Sequence, residues 1–233
     1  MVVTTKNNLE NLPNSIKYLK NLGFKKFNIL FDYLVDWQDE DLEVIRKSFT
    51  GVAEIYYEAL LNENDLDFPL FDEKIRTHIK EGFDCNDGCQ LGMQNINVGT
   101  DGNFYPCMQF VGLREYIIGN CEEGINVQAR SNLLNKSKIE NEICKECAIR
   151  TRCKHLCPCK NYLTTQDING LSPIVCEFER IIIEIADNLA EKLYKNDSNL
   201  FIQKFYNENY GIMKEILRTE EKRKANENKK SGK

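Results

Sequence analysis

A cluster of cysteines constrains the fold of this chain more than any other sequence feature. Five of the ten cysteines lie within sixteen residues. These five are Cys144, Cys147, Cys153, Cys157 and Cys159. Thiolates are soft ligands, and several of them in tight turns are typical of iron–sulfur clusters or zinc sites. The fold must therefore bring these thiols together with those of the other cysteines, which are Cys85, Cys89, Cys107, Cys121 and Cys176.

Composition limits the classes of protein to which the chain can belong. With 233 residues, 42% of them hydrophobic, it can bury a sizeable core. The net charge of −5 gives no basic field for nucleic acid, and no apolar run is long enough to span a membrane. No basic-then-apolar export signal opens the sequence, which predicts a reducing, cytoplasmic location. In such a compartment, ten cysteines are expected to be ligands rather than disulfides.

The first part of the chain alternates between strand and helix patterns. Residues 1–5 predict a buried strand, and a helix follows the Asn7–Asn8 cap and ends at Gly23. Residues 25–33 predict a second strand, buried on both faces, and helical spacing resumes from Trp37 to Leu61. This order predicts a β/α unit with parallel strands. Two parallel strands alone are not a stable sheet, so we expect the end of a larger β/α array with exposed apolar surface.

The rest of the chain predicts smaller elements. Residues 62–84 are interpreted as a linker that contains a short helix. Asp101–Gly102 between alternating segments indicates a β-hairpin that returns Cys107 towards Cys85 and Cys89. Helices are predicted at about 131–140, 177–195 and 200–218, and the charged residues from 219 onwards are expected to be disordered.

The spacing of the cysteines favours iron–sulfur clusters over zinc but leaves both open. A structural zinc site often uses two C-x2-C pairs, and here Cys144 and Cys147 form a single such pair. A cubane cluster tolerates irregular spacing better because each cysteine binds a different iron. Histidine occurs twice, as His78 and His155, so a metal here would be held almost wholly by sulfur.

At these cysteines the chain resembles the SPASM domain of radical S-adenosylmethionine enzymes that mature peptides and proteins. Its pattern is C-x(9–15)-G-x4-C, then C-x2-C-x5-C-x3-C, then a final cysteine. Twelve residues separate Cys89 from Gly102, and four more separate Gly102 from Cys107. Cys144, Cys147, Cys153 and Cys157 match the second part of the pattern, and Cys176 is its final cysteine. Residues 1–61 resemble the end of the partial β/α barrel of these enzymes.

The resemblance implies two auxiliary 4Fe–4S clusters with interleaved ligands. The first cluster would be bound by Cys85, Cys89, Cys107 and Cys157. The second would be bound by Cys144, Cys147, Cys153 and Cys176. Cys121 and Cys159 have no place in this pattern and are expected to be small buried residues, although Cys159 could replace Cys157. We expect His155 to be exposed rather than hydrogen-bonded to a cluster sulfur.

The chain also departs from the family. The C-x3-C-x2-C triplet that binds the S-adenosylmethionine-cleaving cluster is absent, so the resemblance implies a chain that is inactive alone. We interpret it as truncated, or as one half of a split enzyme whose partner chain carries the radical-generating part and S-adenosylmethionine. Sulfatase-maturating members place an Asp where this chain has Met108, which favours a maturase of ribosomally made peptides. No catalytic side chain is assigned; Asp32 and Asp36 follow the second strand, and we expect turn-forming roles for both.

The predicted architecture combines α/β and α+β parts. Residues 1–80 would be the remnant of a β/α partial barrel, and 81–195 a small cysteine-rich SPASM domain with a β-hairpin and C-terminal helices. Residues 196–233 would be a helix and a basic tail. The predicted function is to relay electrons and to position a peptide or protein substrate, without nucleic acid or membrane partners. The alternative is a stand-alone, non-catalytic metal-binding module, either an iron–sulfur electron carrier or a zinc-stapled interaction domain.

Overall fold

Two short parallel strands open the fold. The computed structural model describes residues 1–83, 91–137, 141–153, 157–216 and 219–220. Strands β1 (Val2–Thr4) and β2 (Ile29–Phe31) pair in parallel, with Val3 opposite Leu30. Val3 and Leu30 are 48% and 42% exposed, whereas Thr4 and Phe31 are buried. The prediction that the second strand is buried on both faces is therefore wrong, because the described residues cover one face of the pair.

Helix α1 (Leu12–Asn21) crosses from β1 to β2 but begins later than the sequence predicts. The Asn8 side chain closes a turn instead of capping the helix: it accepts a hydrogen bond from the Thr5 backbone N–H and donates one to the Val3 carbonyl. Pro13 lies in the first turn of the helix, where its fixed φ is already helical and its missing N–H costs nothing. Gly23 follows the helix with a φ of +93°, a conformation that favours glycine.

Four further helices form the main core together with α1 and the strand pair. They are α2 (Asp41–Leu61), α3 (Pro69–Ile79), α7 (Pro173–Lys195) and α8 (Asn199–Tyr206). The interpretation of residues 62–84 as a linker is wrong for α3, because Phe71 and Ile75 are fully buried in this core. The apolar stripe of α7 packs against both α2 and α3. The core thus joins side chains from residues 9–75 and 178–205.

A second, smaller unit carries most of the cysteines. It contains β3 (Asn97–Val98), β4 (Asn103–Tyr105), β5 (Gly119–Asn120) and β6 (Gly124–Ile125), which form one antiparallel sheet in that order. The turn between β3 and β4 lies where the sequence predicts a hairpin, and Gly102 adopts a φ of +77° in it. Three helices follow: α4 (Val127–Ser137), α5 (Glu142–Lys145) and α6 (Pro158–Thr165). A small core holds Tyr105, Phe110, Tyr116 and Ile168 together with Cys159.

The predicted helix over 200–218 is interrupted. Helix α8 ends at Tyr206, Asn207 is extended, and residues 210–216 are helical again. Residues 221–233, predicted to be disordered, lie outside the described residues. In the part of the chain that the structure describes, no helix has both the length and the apolar character needed to cross a membrane. The division into three domains stays a prediction.

Candidate functional site

The eight cysteines that the structure describes all carry free thiols, and they lie in or beside the short elements of the cysteine-rich unit and at the start of α7. Cys85 and Cys89, predicted as ligands of the first cluster, lie outside the described residues, as does His155. Cys121 is exposed, so the expectation that it is a small buried residue is wrong. Its backbone N–H donates to the Gly102 carbonyl, which fixes the turn after β5.

Cys107, Cys157 and Cys159 form the first thiol group. Cys107 follows β4, Cys157 is the N-cap of α6, and Cys159 lies in the first turn of that helix. The single S–H of Cys159 is shared between the sulfurs of Cys107 and Cys157, and this hydrogen bonding lowers the pKa of each to about 6. It raises the pKa of Cys159 above its ordinary value, so this thiol keeps its proton. Residues distant in sequence, from the hairpin and from α6, therefore meet at one place.

Four further cysteines, which we call the second thiol group, lie in α5, in the loop after it and at the start of α7: Cys144, Cys147, Cys153 and Cys176. Cys144 and Cys153 are buried, and Cys147 and Cys176 are half-buried. Burial raises the pKa of the Cys176 thiol, and the neighbouring Cys147 raises it further. Arg180, one turn along α7, donates to the Cys147 sulfur at 3.8 Å. The loop after α5 therefore approaches the start of α7 through Cys147 and Cys176.

These contacts follow the interleaved order that the family resemblance implies. Cys107 and Cys157 pack against one small core, and Cys147 lies near the start of α7, where Arg180 reaches its sulfur one turn after Cys176. Cys159 joins the first pair as a third thiol that the sequence pattern leaves out. The sequence signal for the nearness of Cys159 to Cys157 is that the two cysteines are two positions apart at the start of one helix. The complete ligand sets stay a prediction.

The described thiols fit a cluster by their chemistry more closely than by their arrangement. Within the described ranges, no three His, Cys, Asp or Glu side chains are arranged around one point to hold a metal ion. The chemistry of the donors does fit: the thiols are free, two have pKa values near 6, and they are partly withdrawn from water. Thiols in direct hydrogen-bonding contact are closer together than ligands of separate irons, so the first thiol group would have to open to hold a cubane.

Three charged side chains from three helices form a network beside the first thiol group, which we call the charged triad. Glu179 of α7 accepts a hydrogen bond from Lys74 of α3 at 2.6 Å and one from Lys160 of α6 at 3.2 Å. Lys74 and Glu179 are buried. Burial alone would raise the pKa of the Glu179 carboxyl, but the two lysines outweigh it and lower the pKa to about 2. The carboxylate is therefore ionised inside the protein.

Lys160 extends this network to the end of β2. Its ammonium lies 4.9 Å from the centre of the Tyr33 ring and hydrogen-bonds to the Tyr33 hydroxyl. Burial raises the pKa of Tyr33 to about 12, although Lys160 opposes this, so the hydroxyl stays neutral. Burial disfavours the charged form of Lys160, but the negative charges of Glu179 and Cys157 raise its pKa above the ordinary value. Sequence reasoning missed the network, because its residues are spread over four elements.

Arg152 anchors the cysteine loop to the main core. Its guanidinium forms two hydrogen bonds with the Asp187 carboxylate of α7, at 2.8 and 2.5 Å, and donates to the Lys74 carbonyl of α3 at 3.1 Å. His78 of α3 lies 3.2 Å from the same carboxylate. Because Cys153 is the next residue, this arginine sets the position of the second thiol group relative to α3 and α7.

Asp32 and Asp36 form turns after β2, as expected. The Asp32 carboxylate accepts a hydrogen bond from the Leu34 N–H, and the Asp36 carboxylate accepts one from the Gln38 side chain. The Asp36 carbonyl accepts a hydrogen bond from Lys6. These contacts place both residues in the turns that follow β2.

A cleft of about 530 Å³ lies away from the first thiol group, between α3 and the helical segment 210–216. Its wall includes Lys204, which binds Asp67 and Asp72, and Lys214, which binds Asp65 and Asp67. Because these carboxylates neutralise the two lysines, the cleft offers less positive charge than its lysine content suggests, and the thiol groups remain the better candidate site.

Comparisons with known proteins bear on the fold. No known protein family matches the chain by its sequence profile, and no curated protein matches it by sequence. A solved structure described as native anSMEcpe with bound AdoMet and Cp18Cys peptide matches with a TM-score of 0.62 and 20% identity. A second, with bound AdoMet and Kp18Cys peptide, matches with a TM-score of 0.57 and 22% identity.

These matches cover 83% of this chain but 56% of the chain that they match, so this chain spans little more than half the length of those proteins. At this level of identity the likeness shows the fold. The anSME protein is a radical S-adenosylmethionine/SPASM enzyme, so the solved structures with this fold come from the family that the cysteine pattern resembles. The resemblance inferred from the cysteine pattern is thus confirmed at the level of the fold.

Proposed function

We propose that this chain is the auxiliary iron–sulfur part of a radical S-adenosylmethionine peptide or protein maturase. In this proposal, Cys85, Cys89, Cys107 and Cys157 bind one 4Fe–4S cluster, and Cys144, Cys147, Cys153 and Cys176 bind the other. The clusters relay electrons to or from an active site, and the surrounding chain helps to position a peptide. The SPASM architecture and the end of a partial β/α barrel are part of the same proposal.

The pairing of distant thiols is the observation that carries the proposal. Cys107 and Cys157 pack against the same small core, and the Cys147 sulfur accepts a hydrogen bond from Arg180, one turn after Cys176, which is the crossed order expected for two interleaved clusters. A single zinc ion with the C-x2-C pair as half of its ligands would instead place Cys144 and Cys147 together with one other pair. The crossed order therefore favours two separate sulfur-lined sites.

Bound clusters would supply one-electron chemistry, and the chain determines where they lie. Cys107 and Cys157 would fasten the β-hairpin to the N-terminus of α6. Cys147 and Cys176 would fasten the loop after α5 to α7. Each cluster would then stabilise the fold as a crosslink, because its ligands come from elements that are far apart in the sequence.

The substrate and the partners follow from the fold likeness as proposals. The matching structure holds a peptide and AdoMet, so we propose a peptide or protein substrate for the complete system. The 233-residue sequence contains no C-x3-C-x2-C triplet, so S-adenosylmethionine cleavage would require residues outside it. We further propose a cytoplasmic protein that binds neither nucleic acid nor membranes.

The test is the iron and sulfide content of the chain after anaerobic reconstitution, together with EPR of the dithionite-reduced protein. We expect about eight irons and eight sulfides per chain and signals from two clusters. Cys147→Ala should remove about four irons, since it takes a ligand from one cluster alone. The matched control is Cys121→Ala, which replaces an exposed cysteine outside the pattern and should keep the full content.

The same measurement decides the alternative. A content of one or two zinc ions per chain without sulfide would contradict the electron-relay proposal. It would indicate an interaction module that is stabilised by zinc. Eight irons in a chain that binds neither S-adenosylmethionine enzymes nor peptides would instead indicate a stand-alone electron carrier.

A further inference from the structure

The outer face of the small antiparallel sheet exposes apolar side chains. In the strand register, Val98 lies opposite Phe104. Phe104 lies opposite Gly119, which in turn lies opposite Ile125. Directly opposite residues share one face of a sheet, and on this face Val98 is 59% exposed, Ile125 is 38% exposed and Phe104 is half-buried. We call Val98, Phe104 and Ile125 the outer row.

The opposite face of the sheet packs inward, so the outer row is an exception to the usual pattern. Tyr105, the residue after Phe104 on β4, is buried in the small core. An antiparallel sheet with one solvated face normally carries polar side chains on that face. An apolar row there is typical of a surface that another element covers.

The end of this sheet at which its two hairpin turns lie is acidic. Because neighbouring strands run antiparallel, the β3–β4 turn and the β5–β6 turn lie at the same end, where a backbone hydrogen bond joins them. These turns carry the exposed carboxylates of Asp101, Glu122 and Glu123. Arg114 is the only Lys or Arg in residues 91–125. A partner of the outer row would therefore be favoured by positive charge beside its apolar groups.

The helical segment 210–216 exposes a second apolar surface. Lys214 fixes one side of this segment to the protein, because its ammonium lies 2.7 Å from the Asp65 carboxylate and 2.9 Å from that of Asp67. Tyr210, on the same side, packs against the main core. The outward side carries three apolar residues, each more than half exposed, which we call the helical face: Ile212, Met213 and Ile216. The apolar side of this segment thus points away from the core, the reverse of an ordinary surface helix.

The two surfaces complement each other in charge as well as in apolar character. In residues 221–233, which follow the helical face, six Lys or Arg side chains outnumber two Glu. The outer row has the matching combination of apolar side chains beside acidic turns. We propose that the helical face of one copy of this chain docks on the outer row of a second copy, with the basic residues after it beside the acidic turns.

This contact joins two different surfaces, so it is heterologous. Each bound copy keeps one unused surface, and the copies therefore assemble head to tail. Because each surface has three apolar side chains, we expect a weak association that depends on concentration. The association requires neither metal nor substrate, so it goes beyond the proposed function without resting on it.

The experiment is sedimentation velocity of the full 233-residue chain over a range of concentrations. We expect the average mass to rise with concentration, and added NaCl to weaken this rise by screening the acidic and basic groups. Val98→Glu and Ile216→Glu should each weaken the association by about tenfold or more, since each places a charge in an apolar contact. The matched control is Tyr18→Glu, at an exposed position of α1 outside both surfaces, which should leave the association unchanged.

Mixing the two variants tests the head-to-tail arrangement itself. Val98→Glu keeps its helical face and Ile216→Glu keeps its outer row, so an equimolar mixture should recover one contact and stop at a 1:1 dimer. Circular dichroism checks that each variant is folded, and Ile125→Glu replaces Val98→Glu if that variant folds poorly. Glu122→Gln combined with Glu123→Gln should weaken the association and reduce its dependence on salt.

Three results would overturn the proposal. These are a chain that stays monomeric at about 0.5 mM, an association that survives both Glu substitutions, and a mixture of the two variants that remains monomeric. Binding of a monomeric chain to vesicles of anionic phospholipid, lost in Ile216→Glu, would assign the helical face to a lipid surface instead. None of these measurements depends on iron or sulfide content, so the proposed function is tested separately.

Discussion

Among single residues, Glu179 shows how a charge can be kept inside this protein. The carboxylate is buried on α7, yet two lysines keep its pKa near 2. Removing one member of a buried ion pair leaves an uncompensated charge, which typically costs about 3–5 kcal/mol. Glu179 is therefore expected to be among the positions where a small change of side chain has a large effect on stability.

The first prediction concerns acid stability. The pKa of Glu179 falls from 4.5 in the unfolded chain to about 2 in the folded protein, so its contribution is present above pH 4.5 and lost as the pH falls towards 2. The shift corresponds to about 3 kcal/mol. Denaturant unfolding of the cluster-free chain at several pH values should show this loss. Glu179→Gln should be less stable at pH 7 and should have a shallower slope in that window; equal slopes would contradict the assignment.

The second prediction concerns Cys159. Because its single S–H is shared between Cys107 and Cys157, Cys159→Ala should raise the pKa values of both from about 6 towards the ordinary 9.0. The pH dependence of alkylation by iodoacetamide, followed residue by residue by mass spectrometry in the cluster-free chain, measures this shift. Cys159→Ser keeps a donor and should show a smaller change. An unchanged midpoint in Cys159→Ala would mean that other groups hold the two thiols ionised.

Residue-level features differ in how far the sequence predicts them. The thiols are visible as a pattern because their identity and spacing alone carry the signal. The charged triad is invisible to such reasoning, because Lys74 and Glu179 are 105 positions apart and each is an ordinary residue on its own helix. Only the packing of α3, α6 and α7 makes them partners.

At the level of elements, Arg152 ties the cysteine loop to two helices. Its hydrogen bonds to Asp187 and to the Lys74 carbonyl join the turn before Cys153 to α7 and α3. The guanidinium is 16% exposed, so these charge-assisted bonds are protected from water. The position of the second thiol group therefore depends on contacts that contain no cysteine.

The third prediction tests this anchor. Arg152→Ala should lower the free energy of unfolding by about 1–3 kcal/mol and speed hydrogen exchange over the loop from Cys144 to Cys153. Arg46→Ala is the control, because it breaks an exposed ion pair with Glu184 and should cost at most about 1 kcal/mol. Equal effects of the two substitutions on loop exchange would contradict the anchoring role.

Helix α3 shows where element prediction from sequence fails. Its eleven residues begin with a proline and follow a polar loop, which is typical of a linker. Phe71 and Ile75 are nevertheless fully buried, because α7 covers them from the far end of the chain. In contrast, the pattern of α7 itself predicts its buried face well, since its apolar residues recur at helical spacing through 23 residues.

Across the whole molecule, aromatic rings connect the two ends of the chain. Phe178 of α7 stacks on Phe31 of β2 with ring centres 4.2 Å apart and also meets Phe49 of α2 edge-on at 5.2 Å. The single tryptophan, Trp37, stacks on Phe31 as well, with ring centres 4.7 Å apart. The N-terminal strands therefore depend on a helix that begins at residue 173.

The fourth prediction follows from this shared core. Phe178→Ala should destabilise the chain by about 3–5 kcal/mol. The loss of Trp37 fluorescence and the loss of helical circular dichroism should shift together in denaturant, because both report one cooperative unit. Tyr194→Ala, on an exposed position of the same helix, should change the midpoint little. Separate transitions for the two signals would show that the strands unfold independently of α7.

The contacts of Arg152 are made by protein groups alone, so the loop that presents Cys144, Cys147 and Cys153 is shaped by the polypeptide itself. The loop therefore keeps an attachment to α3 and α7 that does not pass through its thiols, so replacing any of those cysteines should leave the hydrogen bonds of Arg152 in place.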